Sequence, residues 1–180
     1  MNRKHFLKNG LAGLGVLTMP NLIKSSSPIP IISSAEGDPA LVKKGEGQQL
    51  NVLGDTQTHK ISGAMTNDLF CEWISEVAPG VGIPPHYHTK EDEVFRILKG
   101  SVEFWVDGDT FTASEGDVVF APRDIPHSWK IVGDVSAKMI SSAFPAGIEN
   151  MFVDLAKLPP GPPDFEKVAG VCKNYGIFFV

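Results

Sequence analysis

The chain has 180 residues, 42% of them hydrophobic and 21% charged, which suits one globular domain with a single substantial core. Its formal charge is −5, but the basic residues Arg3, Lys4, Lys8 and Lys24 fall in the first 35 positions, where no acid occurs, so the remainder is more acidic than the total implies. No basic stripe follows residue 44, and a body this acidic disfavours a nucleic-acid partner, because neutralising phosphates needs a basic surface.

Residues 1–35 read as an export signal. A basic start precedes the mildly apolar run Asn9 to Met19, too short to cross a bilayer, so no stable membrane span is expected. Ser33-Ser34-Ala35 offers small residues for cleavage. The opening Asn2 to Lys8 resembles a twin-arginine signal of the R-R-x-F-L-K type, with Lys4 in place of the second arginine. The general secretory route and a disordered basic tail are the alternatives. The expected location is the periplasm or cell envelope, with residues 36–180 as the mature domain.

A Ser- and Pro-rich linker, Ser25 to Pro39, leads into short strands that run from about residue 40 to 143, the pattern of an all-β sandwich or barrel. In Leu69 to Val77, Cys71, Trp73 and Val77 share one face and Glu72 and Glu76 the other, as in a half-buried strand. Asp107-Gly108 between Val102–Val106 and Thr110–Ala113 is a hairpin signal, because both turn positions want positive φ. Glu115-Gly116 turns the chain into Asp117–Ala121, and Arg123-Asp124-Ile125-Pro126 turns it into His127–Ile131. From residue 144 the period changes. Ile148, Met151, Phe152 and Leu155 recur at helical spacing, as do Phe165, Val168, Ala169 and Cys172, with Asp164 placed to cap the second helix and Gly176 to end it. Two short helices over an open flank of the barrel are expected in 144–180. Cys71 and Cys172 read as buried thiols.

The chemistry concentrates in two patterns, Gly80-x5-His86-Tyr87-His88-x4-Glu93-x6-Gly100 and Gly116-x5-Pro122-x4-His127. Residues two apart on a strand share a face, so His86 and His88 point inward and Tyr87 away. Thr89 to Asp92 makes a turn, after which Glu93, Phe95 and Ile97 share a face; His127, Trp129 and Ile131 do so later. His86, His88, Glu93 and His127 are therefore candidate ligands of one divalent transition metal. Three imidazoles and a carboxylate suit Fe, Ni, Mn or Co, and also Cu or Zn, and leave coordination positions open for substrate or dioxygen. Glu91 and Asp92 are rival carboxylates that read as a solvated turn, and His59 reads as a surface residue. Trp129, Phe95, Phe104 and Phe120 read as core first and cavity lining second.

These two motifs resemble those of the cupin superfamily, whose barrels hold a metal with three histidines and a glutamate. The first motif matches in full; the second departs at Asp124, often Gly in the family, and at Ile131, often Asn. Leu41 through Leu53-Gly54-Asp55, Phe144 to Glu149, and Tyr175-Gly176-Ile177 are similar to the quercetin 2,3-dioxygenase-like group of cupins. The resemblance spans roughly residues 40–180 and implies a double-stranded β-helix (jelly-roll) barrel and a homodimer. It also implies metal-dependent dioxygenation of a flavonol-like or other enol or phenolic small molecule, with Glu93 as the catalytic base. The alternatives are a cupin isomerase, which needs no oxygen, and a non-catalytic metal-containing binding module. Crossing the membrane already folded would let the metal be loaded inside the cell, away from the copper and zinc that the usual affinity order favours.

Overall fold

A computed structural model describes residues 37–159 and 161–180; the expected export signal lies outside the described residues. The elements in chain order are β1 (Gln48–Val52), β2 (Asp55–Ile61), the single turn α1 (Gly63–Thr66), β3 (Cys71–Val77), β4 (Gly82–His88), β5 (Asp92–Lys99) and β6 (Ser101–Val106). They continue with β7 (Asp109–Ser114), β8 (Val118–Ala121), β9 (His127–Val132), β10 (Ala137–Phe144), α2 (Ile148–Leu155), α3 (Phe165–Asn174) and β11 (Ile177–Phe179). The strands form two antiparallel sheets, ordered β1-β2-β3-β10-β5-β8 and β11-β4-β9-β6-β7, which close into a jelly-roll barrel. No helix among the described residues is long and apolar enough to cross a membrane.

Local chemistry explains the turns. Asp107 and Gly108 take φ of 49° and 95°, the primed-turn geometry that matches strand twist, and β6 pairs with β7 from Val106↔Asp109 to Ser101↔Ser114. Asp124, at the position where the cupin motif often has Gly, has φ 63°. That left-handed conformation suits Gly and tolerates Asp, so the departure leaves the turn intact. Its N–H donates to the His88 carbonyl at 2.7 Å, tying the β8–β9 turn to the end of β4.

The alternation expected in β3 is observed: Cys71, Trp73 and Val77 are buried, while Glu76 faces solvent. Ser75 shares the buried face. Phe95, Ile97, Val102, Phe104, Ile131 and Met139 fill one part of the barrel. Beyond them, Ile148, Met151, Phe152 and Leu155 of α2 and Val168 and Cys172 of α3 pack on Val52, Cys71 and Trp73. Asp164 caps α3 by accepting from Lys167 N–H, and Gly176 ends it at φ 87°. The C-terminal flank does more than cover the barrel, since β11 pairs with the ligand-bearing strand β4, Ile177 opposite His88 and Phe179 opposite His86. Both cysteines are buried and free; burial first, then the charge of nearby Glu149, pushes the Cys71 thiol far up, and burial pushes Cys172 to about 11.

Two aromatic readings divide. Phe104 is core, but Phe120 is 58% exposed, because the short edge strand β8 alternates Val119 and Ala121 inward and Phe120 outward. His59 is a correction. It is buried, with its ring stacked on Trp73 at 5.9 Å and edge-on to Phe152 at 5.7 Å. Burial lowers its pKa, with Glu149 opposing in part.

Candidate metal centre

The four side chains singled out by spacing come together. His86 and His88 stand two apart on β4, Glu93 near the start of β5 and His127 at the start of β9. Their ligand atoms all lie within 4.8 Å of one another, and all four residues are buried. The backbone in β4 prepares this. Pro84 and Pro85 have no N–H to give the ladder, and the β4–β9 register shifts between Ile83 and His86, after which His86 stands opposite His127. Gly82 permits the close strand approach, because a Cβ there would meet the Trp129 carbonyl and stand 2.8 Å from Lys130 Cα.

Two of the three imidazoles, His86 and His127, are oriented through the far nitrogen. His86 Nδ1–H donates to the Pro84 carbonyl at 2.9 Å and His127 Nδ1–H to the Ile125 carbonyl at 3.1 Å. Those bonds fix the tautomers and turn both Nε2 lone pairs to the centre. His127 Nε2 then faces Glu93 Oε2 at 3.2 Å, and His88 Nε2 lies 3.4 Å from the same oxygen. Two acceptors at that distance, in a buried place, need a cation between them, a proton or a metal. The donor set, three imidazoles and one carboxylate, fits a divalent transition metal.

The electrostatics point the same way. Burial first, then the charges of His127 and His88, lowers His86 to about 3. Burial alone would raise Glu93, but the charge of His88, the hydrogen bond from His127 and the charges of His127 and His86 outweigh it and bring Glu93 to about 2. Burial likewise works against His88, yet Glu93 and Glu91 raise its pKa. A neutral His86 and an ionised Glu93 are the states a metal requires, and the proton that His88 favours would leave as a metal binds.

Glu91 corrects the solvated-turn reading. It is only 3% exposed, and its Oε2 lies 3.6 Å from His88 Nδ1, neither atom having a hydrogen-bond partner among the described residues. A small approach would let His88 Nδ1–H donate to Glu91, giving the third imidazole the support the other two draw from carbonyls. Glu91→Ala is therefore expected to weaken metal affinity by roughly 10- to 100-fold. Unchanged affinity in a competitive chelator titration would rule that support out. Asp92 also departs from the solvated-turn reading: it is half-buried and binds the Arg123 backbone N–H and guanidinium at 2.8–3.0 Å. Those bonds hold its carboxyl at about 2.

The centre opens on a cavity of about 80 Å³. Phe95, Trp129 and Met139 of the barrel line it, as do Met151, Phe152 and Leu155 of α2. Sequence reasoning missed its polar wall, Asp55, Gln57 and Ser75. All three are buried, and only their alternation with Thr56, Thr58 and Ile74 pointed to a shared face.

A jelly-roll barrel with a buried cluster of three histidines and a glutamate facing an apolar cavity defines a small-molecule protein with a candidate metal site. The Cupin domain family matches residues 73–142, and this chain belongs to the cupin superfamily. It is 32% identical over 116 residues to quercetin 2,3-dioxygenase of Bacillus subtilis, a match that covers 63% of this chain and 34% of that protein. The chain thus spans about a third of the length of that relative. The solved structure of KdgF from Halomonas sp. superposes with a TM-score of 0.56 at 17% identity, covering 62% of this chain and 98% of that one. A predicted oxalate decarboxylase from Thermotoga maritima gives 0.53 at 24%, covering 59% and 99%. These two likenesses concern the fold alone.

Proposed function

We propose that this chain is a metal-dependent dioxygenase of a flavonol-like or other enol or phenolic small molecule. The observation that carries the reading is the pair of buried lone pairs, His127 Nε2 and Glu93 Oε2 at 3.2 Å, beside an apolar, aromatic cavity that Glu93 lines. The identity to a quercetin 2,3-dioxygenase supports the choice of reaction. His86, His88, Glu93 and His127 would hold Fe, Ni, Mn or Co, with Cu and Zn the other fitting ions. Such a metal would supply Lewis acidity toward an enolate oxygen and, for the redox-active ions but not Zn, a route for electrons to dioxygen.

The chain's own residues do the rest. Glu93 is the carboxylate placed at the centre, since Glu91 reaches only the far nitrogen of His88. Glu93 acts by holding the enol proton in a hydrogen bond as the substrate ionises. Phe95 and Trp129 pack the substrate ring and keep water from the reacting carbon. Both atoms of dioxygen end in the products as the ring opens. The enclosed space is smaller than the roughly 300 Å³ usual for drug-sized ligands, so a flavonol enters only as the α2–α3 side of the wall moves outward. Export to the periplasm or cell envelope through residues 1–35 belongs to this proposal.

Oxygen uptake by the metal-loaded protein with a panel of flavonols and simpler enols tests it. Stoichiometric uptake with one of them is expected, and Glu93→Gln should cut turnover by at least about 100-fold while leaving the fold. Undiminished turnover in that variant would remove the role assigned to Glu93. Conversion without oxygen would favour an isomerase, and tight binding without conversion a binding module; either result overturns the dioxygenase reading.

A further inference from the structure

Opposite the metal ligands, the cavity wall carries a polar group that the barrel does not satisfy. Asp55, the first residue of β2, is 4% exposed, and both of its donors converge on one oxygen. Gln57 Nε2 donates to Asp55 Oδ2 at 2.7 Å and Ser75 Oγ at 2.9 Å. Behind them, His59 Nε2–H donates to Gln57 Oε1 at 2.9 Å, which fixes the orientation of the Gln57 amide. Among the described residues, Asp55 Oδ1 has no hydrogen-bond partner, and neither has Ser141 Oγ. A network built only for the fold would engage both carboxylate oxygens, since an orphaned buried acceptor is costly. Asp55 and Ser141 line the same cavity as His86, His88 and Glu93.

We propose that Asp55, held from behind by Gln57 and Ser75, is a second polar subsite that binds a hydroxyl of the substrate remote from the metal ligands. The inference rests on the substrate class proposed above and narrows it. In the sheet order, β2 is separated from the Glu93 strand β5 by β3 and β10. The register sets Asp55 level with Val77 and Ala137, and Glu93 level with Ala143, so the two carboxylates are also offset along the strands, and a ligand that reaches both exceeds one aromatic ring. The ligand is therefore a two-ring polyphenol, its enol end at the centre and a hydroxyl of its far ring donating to Asp55 Oδ1. Ser141, opposite Trp73 on β3 and Phe95 on β5, lies between the two ends and can donate to or accept from another polar group of the ligand.

Galangin and kaempferol, flavonols that differ by one hydroxyl on the ring remote from the enol, are the probes. Binding to the metal-loaded protein is read anaerobically from quenching of Trp73 and Trp129, both of which line the cavity. The wild type is expected to bind kaempferol roughly 10- to 100-fold more tightly than galangin, as a hydrogen bond to a charged group would give. Asp55→Ala should bring that ratio near one with little change for galangin. Asp55→Asn, which keeps the shape and accepts from Gln57 and Ser75 through its carbonyl oxygen, turns an amide NH2 to the cavity in place of the charged Oδ1 and should lower the ratio about tenfold. Equal wild-type affinities, or a ratio unchanged in Asp55→Asn, would overturn the subsite. Binding of neither flavonol would overturn it too, while the metal content of the protein stands as the separate test of the centre.

Discussion

Metal content of the purified His86→Ala chain is expected to fall to none, where the wild type carries about one equivalent of Fe, Ni, Mn or Co. His86 supplies one of three imidazoles, and its Nδ1 is committed to the Pro84 carbonyl, so its Nε2 has no substitute nearby. Stability should show the same loss. A ligand that binds only the folded state at 100 times its Kd adds about 2.7 kcal/mol, or roughly 5–10 °C in Tm for a domain of this size. The wild type should therefore melt lower after chelation, and His86→Ala should melt alike with and without chelator. Metal retained in the variant, or a wild type that takes up none on reconstitution, would remove the centre and with it the basis for dioxygenation.

The second large effect concerns the cost of a buried acid. Burial, the main cause, raises Asp55 to about 6 from 3.8, against the hydrogen bonds from Gln57 and Ser75. The folded state thus holds the proton more tightly than the unfolded one. The stabilisation that follows is complete below 3.8 and is lost as the pH rises through about 6. By neutral to alkaline pH the ionised group disfavours folding by at most about 3 kcal/mol. Asp55→Asn removes that titration. Relative to wild type, the variant should gain about 2–3 kcal/mol between pH 4 and pH 8 in denaturant unfolding, while the metal ligands, shared by both proteins, drop out of the difference. A difference flat across that range would show that Asp55 is not strained by burial. A gain of the expected size would mean that this position gives up stability at neutral pH, as functional sites commonly do.

Much of the molecule was legible because its signals are local. Period-two alternation sets His86 and His88 on one face whatever the remainder of the chain does, and Asp107-Gly108 specifies its turn through φ alone. The helices α2 and α3 follow from apolar spacing and from Asp164. The failures share a cause. In β2 the residues alternate Asp55, Gln57, His59 against Thr56, Thr58, Lys60, so both faces are polar and alternation has no sign. Only pairing with β3, Gln57 opposite Ser75 and His59 opposite Trp73, turns the first set inward. Glu91 sits in a polar turn that reads as solvated, and its burial comes from that turn folding back against His88.

The sequence by itself determined the ligand types, their faces and the two-helix flank, because each depends on neighbours within a few residues. Tertiary structure alone decided that β4 and β9 pair so as to set His86 against His127, that β11 returns to the ligand strand, and that Asp55 and Glu93 look into one cavity. Those facts depend on strand order and register, and contacts between strands far apart in the chain leave no periodic trace in it.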